Sequence, residues 1–199
     1  MNRDEAINVI AAARGDAAIV VGPGANSGLM FARADAPASI YGMELAYATP
    51  VALGIALARP ARRVLAIEGE GSFYAGSTVL STVWRMQPPN LCIIVNDNGI
   101  WGTGDCKELT ATSCGVNLAQ LAVAAGWSDD RVAEVSEEEA FRAALARALS
   151  RPGPQFIVAK TDPARDQFLL KASRAARLPT IRHQLDCVVL TAMDLGGRA

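Results

Sequence analysis

The chain has 199 residues, a formal net charge of −1 and 51% hydrophobic residues. That length and apolar content suit one sizeable α/β domain with a real core. No basic excess is available to neutralise phosphates, which argues against a nucleic-acid partner. No run of about 18 or more apolar residues is present, so no membrane span is expected.

The opening segment MNRDEAINVIAAARGD is polar and amphipathic and lacks the apolar stretch of a signal peptide, so none is expected. Asp4 to Ile10 opens a helix with apolar residues at 6, 9 and 10. Ala17 to Val21 is a short continuous apolar run, the mark of a buried strand, and Gly22-Pro23-Gly24 ends it. A second helix is predicted from Glu44 to Ala58, followed by a strand at Val64–Glu68 that stops at Gly69. Ser72 is expected to cap a helix reaching Arg85, with Pro88-Pro89 breaking the pattern. Leu91 to Val95 is the strongest strand signal, and a glycine-rich loop from Asn96 to Thr112 follows. Asn117 is placed to cap a helix to Ala125, closed by Gly126. A weak strand at Arg131–Val135, a helix at Glu137–Ser150 and a strand at Gln155–Lys160 complete the pattern. Acidic residues begin that helix and arginines come later, as the helix dipole prefers.

Alternating helices and apolar strands predict an α/β fold: a three-layer sandwich around a mainly parallel sheet. A single domain over 1–199 is expected, with 161–199 as a C-terminal extension. Such sheets bind ligands beyond the carboxyl ends of their strands. The loops of interest are therefore Gly22–Gly28, Gly69–Ser72 and Asn96–Gly104.

Gly69-Glu70-Gly71-Ser72 lies at a strand end and opens a helix. Its glycines allow close backbone approach, and the helix start offers free N–H groups to an anion. Glu70 adds a carboxylate, a pairing suited to Mg²⁺ bridged to phosphate oxygens. Asn96 to Gly102 leaves the next strand with amide and carbonyl oxygens, and neighbouring strands lie about 5 Å apart. Glu70 and Asn98 are thus placed to share one hard cation.

These residues resemble the thiamine diphosphate (ThDP) enzymes, whose motif is Gly-Asp-Gly followed, a little under thirty residues later, by Asn. Glu70 and Asn98 are 28 positions apart. The resemblance implies that Glu70, the Asn98 side chain and the Ile100 carbonyl bind Mg²⁺. It places Gly69, Gly71, Ser72 and Phe73 at the diphosphate, with Trp101 and Gly102 in the same cofactor-binding loop. Upstream, the run Met43 to Gly54 resembles the family's helix start. That puts Leu45 on the apolar wedge that bends thiamine, and the backbone of Met43 and Leu45 against its aminopyrimidine. The loop Asp97-Asn98-Gly99-Ile100-Trp101-Gly102-Thr103-Gly104, and Asn117 to Ala122 with Gly126-Trp127, look most like the sulfopyruvate decarboxylase β subunit and the matching half of phosphonopyruvate decarboxylase. Two residues depart from the pattern: Glu70 stands where Asp is usual, and Ala46 where Gly is usual.

The resemblance implies nonoxidative decarboxylation of a 2-oxoacid, with ThDP and Mg²⁺ as cofactors. The glutamate that activates ThDP belongs to a pyrimidine-binding domain with no counterpart in this sequence. A pyrimidine-binding, α-type partner subunit in a hetero-oligomer is therefore expected, with a small 2-oxoacid as substrate. An acetolactate synthase-like carboligase subunit and a noncatalytic ThDP-binding subunit are the alternatives.

Other residues have plainer readings. Gly22-x-Gly24-x-x-x-Gly28 imitates a dinucleotide fingerprint with imperfect spacing. Glu44 is read as a helix-start residue and Asp97 as a solvated loop or supporting group. Trp101 either lines a substrate pocket or simply packs. Four cysteines (Cys92, Cys106, Cys114, Cys187) form no CxxC pair, and His183 is the sole histidine, so no zinc or iron–sulfur site is expected. Scattered thiols of this kind fit packing roles and a reduced, cytoplasmic setting. Arg165, Lys171, Arg174, Arg177 and Arg182 give the tail a basic series, read with His183 as surface.

Overall fold

The structure is a computed structural model and describes residues 1–101, 108–163 and 193. The loop residues Gly102, Thr103, Gly104 and Cys106, and the basic tail with His183 and Cys187, lie outside the described residues.

The chain runs α1 (Arg3–Ala13), β1 (Ala18–Val21), α2 (Ala25–Ala34), β2 (Ser39–Ile40), α3 (Ala48–Ala58), β3 (Val64–Gly69), α4 (Glu70–Ala75), α5 (Val79–Met86), β4 (Leu91–Asp97), α6 (Leu118–Ala124), β5 (Val132–Val135), α7 (Glu138–Ser150) and β6 (Gln155–Lys160). The six strands form one parallel sheet in the order β2-β1-β3-β4-β6-β5. Successive side chains of a strand point to opposite faces, and both faces are apolar. Ile19, Leu65, Ile67, Ile94 and Ile157 pack against α1, α2 and α7 through Ile7, Ile10, Met30, Phe141 and Leu145. Val20, Ala66, Ile93, Val95 and Phe156 pack on the other side against Ala52, Leu80, Val83, Leu118 and Trp127. The result is the expected three-layer sandwich, with helices covering both faces of the sheet. Phe156 anchors the second layer: its ring sits 5.1 Å from Phe73 and 5.9 Å from Trp127. Each such large side chain contributes about 1.5–3 kcal/mol by burial. Cys92 is buried in the first layer, and burial pushes its thiol up to about 12, as expected of a packing residue. Among the described residues no helix is long and apolar enough to cross a membrane.

The expected elements largely form, with four differences. Helix α2 begins at Ala25, inside the segment read as a loop; Gly24, at φ 81°, turns the chain into it. Strand β2 has two residues, too short for a periodic signal. The helix expected from Glu44 begins instead at Ala48, because Ala46 is left-handed at φ 72° and interrupts the helical path. Glu44 therefore precedes the helix rather than starting it. The helix expected from Ser72 to Arg85 is two helices, α4 and α5, separated at Gly76. Gly69, not Ser72, stands at the N-cap of α4. Elsewhere the expected cap holds: Asn117 Oδ1 accepts from the Gln120 N–H at 2.8 Å.

The two interruptions touch each other. A Cβ at Gly76 would lie 2.6 Å from the Ala46 Cβ and 3.0 Å from its carbonyl oxygen. Gly76→Ala is expected to cost about 1–3 kcal/mol in urea unfolding, the range for overpacking. An Ala46→Gly background should recover part of that loss, since it removes the nearer atom and the left-handed cost of about 1 kcal/mol.

Candidate functional site

Parallel pairing sets the site. Gly69 of β3 is in register with Asn96 of β4, so the loops leaving these strands start side by side. β1 borders β3 on its other edge, and its exit loop joins them. The three loops singled out in the sequence thus leave three consecutive strands. They surround a cavity of about 370 Å³.

Glu70, Asn98 and Ile100 all line this cavity. Glu70 is buried, and its Oε1 accepts from the Thr110 hydroxyl at 3.0 Å. Burial pushes its carboxyl above the ordinary carboxylate range, and the charge of Asp97 adds to the shift. The Thr110 hydrogen bond opposes it. Asn98 Oδ1 accepts from the Ile100 N–H at 3.3 Å, a long bond that leaves its second lone pair free. Its buried Nδ2 has no protein acceptor. An antiparallel bridge between Ile100 and Leu109 folds the loop back, using the Gly99 carbonyl and the Trp101 amide. The Ile100 carbonyl takes no part in those two bonds.

These donors fit a small hard cation. Among the described residues no group of three His, Cys, Asp or Glu side chains forms a metal cluster. What the cavity presents is one carboxylate, one amide and one backbone carbonyl. That is the kind of sparse oxygen set Mg²⁺ uses when phosphate and water oxygens complete its shell. The desolvated Glu70 charge and the unpartnered Asn98 amide are the features a bound cation and anion would satisfy.

Of the two readings given to Asp97, the structure shows the supporting one: it is the buried last residue of β4, not a solvated loop residue. Its Oδ1 accepts from the Gly99 N–H and the Thr112 hydroxyl, and its Oδ2 from Lys160 at 2.6 Å. Both oxygens are engaged in holding the loop, which leaves Glu70 and Asn98 as the ligand candidates.

Gly69, Gly71 and Ser72 also line the cavity. They stand at the start of α4, whose first N–H groups have no intrahelical acceptor. A Cβ at Gly71 would come within 2.7 Å of the Trp101 ring, so the indole lies directly against the backbone there. Trp101 therefore both packs and lines the cavity. Phe73 does not reach it: the side chain is buried against Phe156, and only its backbone is near the helix start. Met43 is half-buried and packs toward the α3 layer, outside the cavity wall. Leu45 is on the wall and 46% exposed, an apolar side chain with little protein to cover it.

The segment carrying Leu45 is tied at both ends. The Gly42 N–H donates to the Ser27 hydroxyl at 2.7 Å, and the Met43 N–H to the Val21 carbonyl at 3.0 Å. At the other end the Ala46 N–H donates to Ser72 Oγ at 3.2 Å.

Several lining residues were not assigned a site role from the sequence, among them Asn26, Glu44 and Arg3. Asn26, in the first turn of α2, is buried and accepts from Asn96 Nδ2 at 3.1 Å. Its position just after Gly24 at a strand exit was the available signal. Glu44, read as a helix-start residue, stands at the mouth. Arg3 belongs to α1, far away in sequence, and reaches the cavity because a helix preceding a parallel strand starts at the sheet's carboxyl edge.

Glu70 gives a pH prediction. A carboxyl raised in the folded state binds its proton more tightly there than when unfolded, so stability falls as pH rises from the ordinary carboxylate pKa through the raised one. Without divalent cation, Glu70→Gln should be more stable than wild type at neutral pH, and the advantage should vanish in acid. Thermal melts at the two pH values check this. Added Mg²⁺ should raise the melting temperature of wild type only.

Comparison with known proteins converges on one family. Residues 31–159 match the family described as "Thiamine pyrophosphate enzyme, C-terminal TPP binding domain". The chain is 33% identical over 121 residues to the sulfopyruvate decarboxylase subunit beta of Methanocaldococcus jannaschii, covering 60% of this chain and 61% of that one. It is 32% identical over 144 residues to the phosphonopyruvate decarboxylase of Streptomyces viridochromogenes, covering 71% of this chain and 35% of the relative. Among solved structures, the ThDP-dependent 4-hydroxybenzoylformate decarboxylase of Rhodococcus jostii RHA1 superposes with a TM-score of 0.67 at 25% identity, over 81% of this chain and 33% of that one. The chain thus spans less than two thirds of the length of each of these proteins. With the parallel sheet and the motif-bearing loops in the family arrangement, the chain belongs to the thiamine pyrophosphate enzymes and has the fold of their C-terminal, TPP-binding domain.

Proposed function

We propose that this chain is the diphosphate-binding subunit of a ThDP- and Mg²⁺-dependent decarboxylase acting on a 2-oxoacid of the sulfopyruvate or phosphonopyruvate kind. One observation carries the reading. Glu70 and Asn98, 28 positions apart, meet on one cavity wall at the ends of adjacent strands. The likeness to two named decarboxylases of acids with an anionic group supports the substrate class.

In this reading Glu70, the Asn98 amide oxygen and the Ile100 carbonyl hold Mg²⁺. The N–H groups at Gly71 and Ser72 hold the diphosphate. Leu45 presses its exposed apolar side chain against the thiamine ring, and the Trp101 indole excludes water beside it. Bound ThDP supplies the electron sink that decarboxylation of a 2-oxoacid requires. Thr110 Oγ1 holds one oxygen of the longer Glu70 side chain at 3.0 Å, leaving the other to face a cation. That favours a working site over a noncatalytic one.

The activating glutamate comes from a pyrimidine-binding partner subunit, with the active site between the two. Exposed apolar side chains support a docking surface there: Leu45 on the cavity wall, and Tyr47 at 59% and Tyr74 at 41% exposure, each two residues from a lining residue. Glu44 also lines the cavity, ahead of α3.

Calorimetry should find ThDP binding that requires Mg²⁺. Glu70→Ala should weaken it by at least about tenfold, the scale on which metal sites respond to loss of a contact. Incubated alone with ThDP, Mg²⁺ and sulfopyruvate, the chain should form no aldehyde; adding a pyrimidine-domain subunit should start turnover. Robust turnover by the chain alone would overturn the two-subunit reading, and undiminished metal-dependent binding by Glu70→Ala would overturn the ligand assignment.

A further inference from the structure

Glu68 is a fully buried carboxylate that none of the roles above uses. Its Oε1 accepts from the Thr49 N–H at 2.9 Å and the Thr49 hydroxyl at 2.6 Å. Its Oε2 accepts from the Ser72 hydroxyl at 2.7 Å. Ser72 Oγ in turn accepts from the Ala46 N–H at 3.2 Å. One side chain therefore joins the end of β3, the first turn of α3, the first turn of α4 and the segment that presents Leu45. Burying a carboxylate costs several kcal/mol, and an apolar residue of similar volume often serves stability as well or better. Three donors and the positive end of α3 offset that cost here. The bonds lead to parts of the cavity wall that must keep their spacing: Leu45 on one side, Gly71 and Ser72 on the other.

We propose that Glu68 is a positioning residue of the cofactor site, acting through Ser72 to set the Leu45 segment against the diphosphate-binding turn. This rests on the ThDP-binding reading above. With Ser72 Oγ–H committed to Glu68, the lone pairs of Ser72 Oγ are directed at Ala46. Glu68→Gln replaces the acceptor facing Ser72 with a donor or forces a rotation that breaks the Thr49 pair, so the hydroxyl loses its fixed orientation.

Two measurements on the full chain test it. The first is hydrogen exchange at the Ala46 amide without cofactor. Glu68→Gln and Ser72→Ala should each speed it by about tenfold, the worth of one hydrogen bond, while amides in the middle of β4 keep their protection. The second is titration with ThDP and Mg²⁺. Each variant should bind about tenfold more weakly, and the double variant no more weakly than Glu68→Gln, because both cut one linkage. Thr49→Val, which removes one bond to Glu68 but spares Ser72, should lower the melting temperature and leave ThDP affinity within about twofold. Unchanged Ala46 exchange in both variants, or additive losses of ThDP affinity, would overturn the proposal. Should wild type fail to bind ThDP, the functional reading fails, while the exchange measurement still decides the linkage.

Discussion

The pairing of Gly69 with Asn96 between β3 and β4 is the constraint on which the site depends. A parallel ladder carries both strands in the same direction, so residues just beyond the pair emerge together. Glu70 lies one residue beyond the pair on one chain segment and Asn98 two beyond it on the other. Neither would reach the other in a sheet where these strands were separated or reversed. The two helices α4 and α5 form the crossover, and β4 returns the chain to the same edge. β1 on the far side of β3 adds the Gly24–Asn26 turn.

Against that geometry works an electrostatic cost. Glu70, Asp97 and Glu68 crowd three buried carboxyl groups into one edge of the sheet. They are treated differently. Asp97 is matched by Lys160, its register partner on β6, and by two further donors. Glu68 is matched by three neutral donors. Among the described residues Glu70 has one side-chain donor, Thr110, and carries the raised carboxyl. The protein thus gives the carboxylates that hold structure the most donors and leaves the one facing the cavity with the fewest.

Much of this was legible in the sequence because the signals were strong and local. Continuous apolar runs marked β1, β3, β4 and β6, and β6 has its predicted limits at Gln155 and Lys160. Glycines beside a carboxylate at a strand end marked the cavity, and the 28-position span to Asn98 tied two loops together. What escaped reading was fixed by contacts between distant segments. The start of α3 is set by the left-handed Ala46, which no propensity favours; the contact with Gly76 and the tie to Ser72 hold it there. Arg3 and Asn26 enter the wall through topology rather than motif. Glu68 looked like an ordinary strand residue, since a sequence does not reveal that three donors converge on one carboxylate. Phe73 shows the converse: a motif neighbour whose side chain answers to the core.

The contact between Ala46 and Gly76 couples what either position can hold. Here alanine stands at 46 and glycine across the contact at 76. Methyl groups do not fit on both sides, with only 2.6 Å between the two positions. With alanine at 46 a side chain at 76 clashes outright, and with glycine at 46 the backbone carbonyl 3.0 Å away would still resist it. The two positions should therefore be inherited as a pair, and a substitution neutral in one branch would be harmful in the other.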